Sequence, residues 1–74
     1  MLTWGVTVSA IVKQLGRRVR DLRDKRQMTQ AALAAKAGIS REYLARLEIG
    51  RHEPTLSTLQ ALAKALRVKV GGLL

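Results

Sequence analysis

Ser40, Arg41, Glu42, Ala45 and Arg46 place several strong hydrogen-bonding groups around one small side chain within seven residues. On a helix turning about 100° per residue, Arg41, Glu42, Ala45 and Arg46 share one side, with Ser40 at the entrance. Tyr43, Leu44 and Leu47 share the other side, which must face a core. Each guanidinium is a rigid fork of donors suited to paired acceptors such as N7 and O6 of a guanine edge. Ala45 lets the backbone come close to a flat surface, and its methyl can touch that of thymine. Glu42 has two uses: accepting from a cytosine amino group, or pairing with Arg46 one turn on and orienting it. A plain solvated helix face carries the same pattern, and the helical wheel alone leaves both readings standing.

Two further charges sit oddly. Glu48 falls at the edge of the apolar side of that helix, and Arg23 directly follows Leu22 on an earlier apolar stripe. Either they form a buried pair that fixes how the two helices cross, or both reach solvent. Other chemistry is missing. There is no Cys and a single His, His52, so neither thiolates nor a histidine cluster can hold a metal. No nucleophile–base set and no phosphate-cradling glycine loop is present, so neither an enzyme nor a bound cofactor is expected.

The charge balance points outward. Fourteen Lys and Arg face 5 acids, a net charge of +9 on 74 residues, which favours a polyanionic partner. Charge alone does not separate DNA from RNA or an anionic membrane surface. No apolar run approaches the roughly 20 residues of a membrane span, and Met1–Ala10 lacks the basic start of a secretory signal. The absence of Cys suits a reducing cytoplasm. Residues 1–74 are expected to form one domain, with a core of Leu, Val, Ile and Ala because Phe is absent.

The elements that must position these groups follow from periodicity and punctuation. Residues 1–9 read as an N-terminal arm or extended segment. From Ser9, Ile11, Leu15, Val19 and Leu22 recur at helical spacing, giving a first helix to about Arg26 with a basic outer face. Thr29 can cap a second helix, Gln30 to Lys36, which Gly38 closes as a left-handed turn. Ser40 caps a third, Arg41 to about Ile49, ended by Gly50. Short helix, glycine turn, short helix over residues 29–49 is a helix-turn-helix signature. Beyond Pro54, Thr55 can cap a fourth helix with a stripe of Leu56, Leu59, Leu62, Ala63 and Leu66. The glycines and β-branched residues of the final stretch, Arg67 to Leu74, disfavour a fifth.

These features together resemble the phage-repressor family of helix-turn-helix proteins, the Cro-like or xenobiotic-response-element type. The resemblance runs from Leu15 to about Val68, through Leu15-Gly16, Val19-Arg20, Leu22-Arg23, Met28-Thr29-Gln30, Leu33-Ala34, Ala37-Gly38-Ile39-Ser40, Tyr43-Leu44, Leu47-Glu48, Gly50, Pro54-Thr55, Leu59, Leu62-Ala63 and Ala65-Leu66. It implies an all-α, compact four- to five-helix, lambda-repressor-like DNA-binding domain. It further implies that Arg41, Glu42 and Arg46, with Ser40 and Ala45, read bases in the major groove. Gln30 corresponds to a phosphate-clamping glutamine, with Thr29, Tyr43 and Arg51 as further phosphate contacts. Arg23 and Glu48 correspond to the family's buried salt bridge.

The sequence departs from the family pattern where a fifth helix, often used in dimerisation, would start: Lys69 holds the capping position and Gly71-Gly72 follow. The dimer surface is then expected at Val68, Val70, Leu73 and Leu74 or in the segment containing Trp4, Val6 and Val8; the alternative is that either segment caps the monomer's own core. The function implied is a cytoplasmic, nucleoid-associated regulator that binds a pseudopalindromic operator in double-stranded DNA as a homodimer. The alternative is an antitoxin-like module that masks a protein partner and autoregulates its promoter. A membrane-surface peptide built on the first helix is disfavoured, because the later apolar stripes need a common core.

Overall fold

The structure, a computed structural model, describes residues 7–74. Four α-helices follow one another: α1 (Val8–Lys25), α2 (Gln30–Ala37), α3 (Arg41–Glu48) and α4 (Leu56–Leu66), with a terminal 3₁₀ turn at Val70–Leu73. No strand occurs among the described residues.

Every α-helix begins on a hydroxyl cap. Thr7, Thr29, Ser40 and Thr55 each hold extended backbone and accept from the amide three residues on, at 3.0–3.1 Å. Such a cap satisfies one donor the helix cannot satisfy itself, a contribution of about 1 kcal/mol each. Thr7 moves the start of α1 forward, so Val8 and Ser9 are helical rather than part of an extended arm. The rest of that expected arm, including Trp4 and Val6, lies outside the described residues. Gly38, at φ 73°, closes α2 in the left-handed region that a side chain would strain, and this turn sets α3 across α2.

The core is built from leucine: Leu15, Leu33, Leu44, Leu47, Leu62, Leu66 and Leu73, joined by Val19, Ala34 and Ala63. The inner stripe of α1 differs from the expected one. Val12, Leu15, Gly16, Val19, Leu22 and Arg23 turn inward, while Ile11 remains 46% exposed. A four-residue step rotates about 40° beyond a full turn. A stripe centred on Val19 therefore leaves Ile11 on its flank. Leu56 also departs from expectation, at 66% exposed. Helical side chains lean toward the N-terminus, so the first residue of α4 overhangs the core it was expected to join.

Gly16 sets the distance between α1 and α3. A Cβ there would run into the backbone carbonyl of Leu47 and lie 2.8 Å from that of Glu48. Only a bare backbone permits this approach, which brings Arg23 on α1 within reach of the end of α3.

The terminal segment forms no α-helix. A 3₁₀ turn sinks Leu73 completely into the core, and Arg18 Nε donates to the Gly72 carbonyl at 2.9 Å. Leu73 is thus a core residue and is removed from the expected dimer surface. Val68 and Val70 are half-buried against the core, and Leu74 alone of that group is fully outside.

Candidate nucleic-acid interface

The site rests on one buried carboxylate. Glu48 ends α3 and is only 6% exposed, so its charge needs partners. Arg23 supplies two: Nε donates to Oε2 at 2.7 Å and Nη2 to Oε1 at 3.1 Å. The same guanidinium reaches back with Nη1 to the Met28 carbonyl at 2.8 Å and lies 3.4 Å from Asp24. The hydrogen bonds to Glu48 raise the Arg23 pKa above its ordinary value; burial opposes the rise, and the charges of Glu48 and Asp24 add to it. One residue thereby ties α1, the turn before α2 and the end of α3 together.

Gln30 joins the same group. Its Nε2 donates to Glu48 Oε1 at 3.0 Å, and its Oε1 faces Arg41 Nη1 at 3.5 Å. A carboxylate on one side and a guanidinium on the other leave this amide one favourable orientation. A chain of contacts thus runs from half-buried Arg23 through Glu48 and Gln30 to Arg41 on the surface. The sequence offered no signal for the Gln30–Glu48 contact, because 18 residues separate them.

Around this brace the surface groups take their places. Arg41, Glu42 and Arg46 are exposed, Ala45 is half-buried between them, and Ser40 caps the entrance. No ion pair joins Glu42 to Arg46 among the described residues, so both side chains remain available to a ligand. The Thr29 hydroxyl accepts from Ala32 N at 3.0 Å, which leaves its own hydrogen free to donate. The first amides of α2 point out of the same helix end, the partly positive end of its dipole.

Tyr43 is half-buried rather than fully in the core. Its ring packs on His52 with centroids 4.3 Å apart and planes at 59°. Sequence reasoning assigned His52 no role; here it fastens the loop after α3 to the helix. Arg51, exposed on that loop, is further held by its amide, which donates to the Arg46 carbonyl at 2.8 Å.

Exposed Arg41, Arg46 and Arg51 on a braced helix and its loop, beside a helix N-terminus and a free hydroxyl, make a donor-rich surface. Comparison with known proteins then places the chain. The family model described as Helix-turn-helix matches residues 19–73. The chain belongs to this family, in its phage-repressor branch. This helix-turn-helix chain is 46% identical over 59 residues to the immunity repressor of Bacillus phage phi105, covering 80% of the chain and 41% of the repressor's length. The restriction–modification controller C.AhdI from Aeromonas hydrophila superposes with a TM-score of 0.82 at 33% identity, covering 86% of this chain and 96% of that one. The P22 c2 repressor in complex with a synthetic operator gives 0.77 at 37% identity, covering 81% and 91%. The fold is therefore that of the phage-repressor DNA-binding domains. Among the described residues, no helix is long and apolar enough to cross a membrane.

Proposed function

We propose that this helix-turn-helix chain forms a single domain that regulates transcription by binding a pseudopalindromic operator in double-stranded DNA as a homodimer. The carrying observation is the braced face of α3, where Arg41 and Arg46 are exposed without an acidic partner while Glu48 beneath is fully engaged. A helix held this firmly loses little freedom on docking, which favours a defined register in the major groove. In this reading Arg41, Glu42 and Arg46, with Ser40 and Ala45, contact base edges.

Phosphates take the flanking donors. Thr29 gives its free hydroxyl hydrogen, and Gln30 gives its backbone amide and the second hydrogen of Nε2. Tyr43 offers its hydroxyl and Arg51 its charge from the loop. The role needs no catalytic group, metal or cofactor, and places the protein on the nucleoid in the cytoplasm. The P22 c2 repressor structure contains an operator, and that likeness supports the same groove-facing orientation for α3. Among the described residues, exposed Leu74, Leu56, Val8, Ile49 and Ile11 are the large apolar side chains open to a second copy.

Selection of DNA sites from a random pool tests the proposal. The expected product is a repeated half-site with inverted symmetry and centres about one helical turn apart. Enrichment of a single unrepeated half-site would remove the dimer; failure to enrich any sequence would remove operator binding.

A further inference from the structure

The acids of this chain are segregated. Asp21, Asp24, Glu42, Glu48 and Glu53 all lie on α1, on α3 or in the loop after it. In α2 and from Pro54 to Leu74 there is none, while Lys36, Lys64, Arg67 and Lys69 are all positive. Three of these cations gather around one feature. A shallow hollow of about 320 Å³ between α2 and α4 is lined by Lys36, Lys64 and Arg67 over Ala61 and Ala65. None of the three cations has an acidic partner among the described residues.

Helix ends explain part of this. Lys36 and Lys64 sit in the last turns of α2 and α4, where cations complement the helix dipole. Arg67 caps the end of α4 and complements the same dipole, and its backbone adds a second feature. It occupies the left-handed position that closes α4, at φ 58° and ψ 44°, where glycine or asparagine fits without strain. Gln27 holds a similar left-handed backbone at φ 55°, so what sets Arg67 apart is its place beside two lysines at one hollow.

We propose that this hollow docks an acidic segment of a partner protein. Its carboxylates pair with Lys36, Lys64 and Arg67, and a small apolar side chain between them rests on Ala61 and Ala65. A second copy presenting the same face would set like charges against each other. Duplex DNA is the other polyanion in reach. It is disfavoured because Lys36, Lys64 and Arg67 gather at the C-terminal ends of α2 and α4, whereas Gln30 opens α2 at the other end; that step rests on the DNA-facing role proposed for α3 and the start of α2.

The test is a titration of the whole chain, without DNA, with a fluorescein-labelled Gly-Glu-Glu-Leu-Glu-Glu-Gly peptide, followed by anisotropy and by amide chemical shifts. It is run at about 150 mM salt, where contacts beyond a Debye length are screened. Expected are saturable binding and shifts confined to Lys36, Ala61, Lys64, Ala65 and Arg67. The double reversal Lys36→Glu, Lys64→Glu should weaken the peptide about tenfold or more and leave affinity for a selected operator close to that of the parent.

Arg67→Gly supplies the second readout. It should melt at or above the parent's temperature, because glycine relieves the strain, while weakening the peptide. Shifts centred on Gln30, Arg41 and Arg46, no saturable binding, or unchanged peptide binding by Arg67→Gly would each overturn the proposal. So would a double reversal that harms operator binding as much as Arg41→Ala does, since the hollow would then be a phosphate site. Failure to select an operator would leave the peptide measurements valid, which keeps the two readings separable.

Discussion

Arg23 grips Glu48 through two donors, Nε on Oε2 at 2.7 Å and Nη2 on Oε1 at 3.1 Å, and the second of those oxygens also accepts from Gln30. Removing one partner strands a charge in the interior, which costs about 3–5 kcal/mol. Arg23→Ala, which leaves buried Glu48 alone, should lose that much in urea unfolding; Glu48→Ala should lose less, because half-buried Arg23 keeps Met28 and Asp24. The pair Arg23→Met, Glu48→Leu should recover most of it, because an apolar replacement strands no charge, although the Met28 carbonyl and Gln30 lose a partner. It should not recover operator affinity, since Gln30 still lacks its anchor. Recovery of both would mean that Gln30 needs no support from Glu48. The raised Arg23 pKa gives a sign as well. A raised folded-state value stabilises fully below the unfolded one and is lost only as pH climbs through the folded one. Arg23 should therefore add no slope to stability until the strongly alkaline arginine range.

Gly16→Ala tests the approach of α1 to α3. Inside a solvent-facing helix this change stabilises by about 1 kcal/mol. Here the added methyl meets the Leu47 and Glu48 carbonyls, which are backbone and cannot swing aside. The expected outcome is a net loss of about 1–3 kcal/mol, read as a lower urea midpoint. Operator affinity should fall further than stability alone explains, because α3 is pushed from its seat.

What the sequence revealed follows the range of each interaction. The caps at Thr29, Ser40 and Thr55 and the turn at Gly38 act within a few residues, so residue type and spacing announce them. The leucine core from Leu15 to Leu66 is likewise legible from helical periodicity. Ile11 and Leu56 match that periodicity yet stay exposed, since a stripe says nothing of where the neighbouring helix stops. For Leu73, pattern left a dimer surface and a cap on the core open; the 3₁₀ turn buries it in the core, which needs no fifth helix. For Arg23 and Glu48, pattern left pairing and solvent exposure open, and the family resemblance pointed to pairing. The contacts Gln30–Glu48 and Tyr43–His52 join elements whose relative placement is a product of packing.

The last two residues separate burial from position. Leu73 is fully enclosed, whereas its neighbour Leu74 is 67% exposed. Leu73→Ala should cost about 2–5 kcal/mol, the usual range for a truncated core leucine. Leu74→Ala should stay within about 0.5 kcal/mol of the parent as a surface change. Thermal melts of dilute protein decide this. A concentration-dependent fall in melting temperature for Leu74→Ala alone would instead assign Leu74 to a subunit interface.

The DNA-facing assignments divide by kind of contact, and salt distinguishes them. Arg41→Ala and Arg46→Ala should each weaken a selected operator by about 1–3 kcal/mol while changing binding to unrelated DNA less, because base readout is what they remove. Arg51→Ala should weaken all sequences nearly alike and reduce the magnitude of the log affinity–log salt slope by about 0.9, the share of one neutralised phosphate. Gln30→Ala should also act on all sequences but leave that slope unchanged, since a neutral amide displaces no counterion. The Glu42 result depends on its partner: with no bond to Arg46 in the free protein, Glu42→Gln should relax preference at one base position without loss of stability. Gel shifts at several salt concentrations read all five variants. If Arg41→Ala and Arg46→Ala weakened every sequence equally, the exposed face of α3 would be gripping phosphate, and the bases would be read elsewhere.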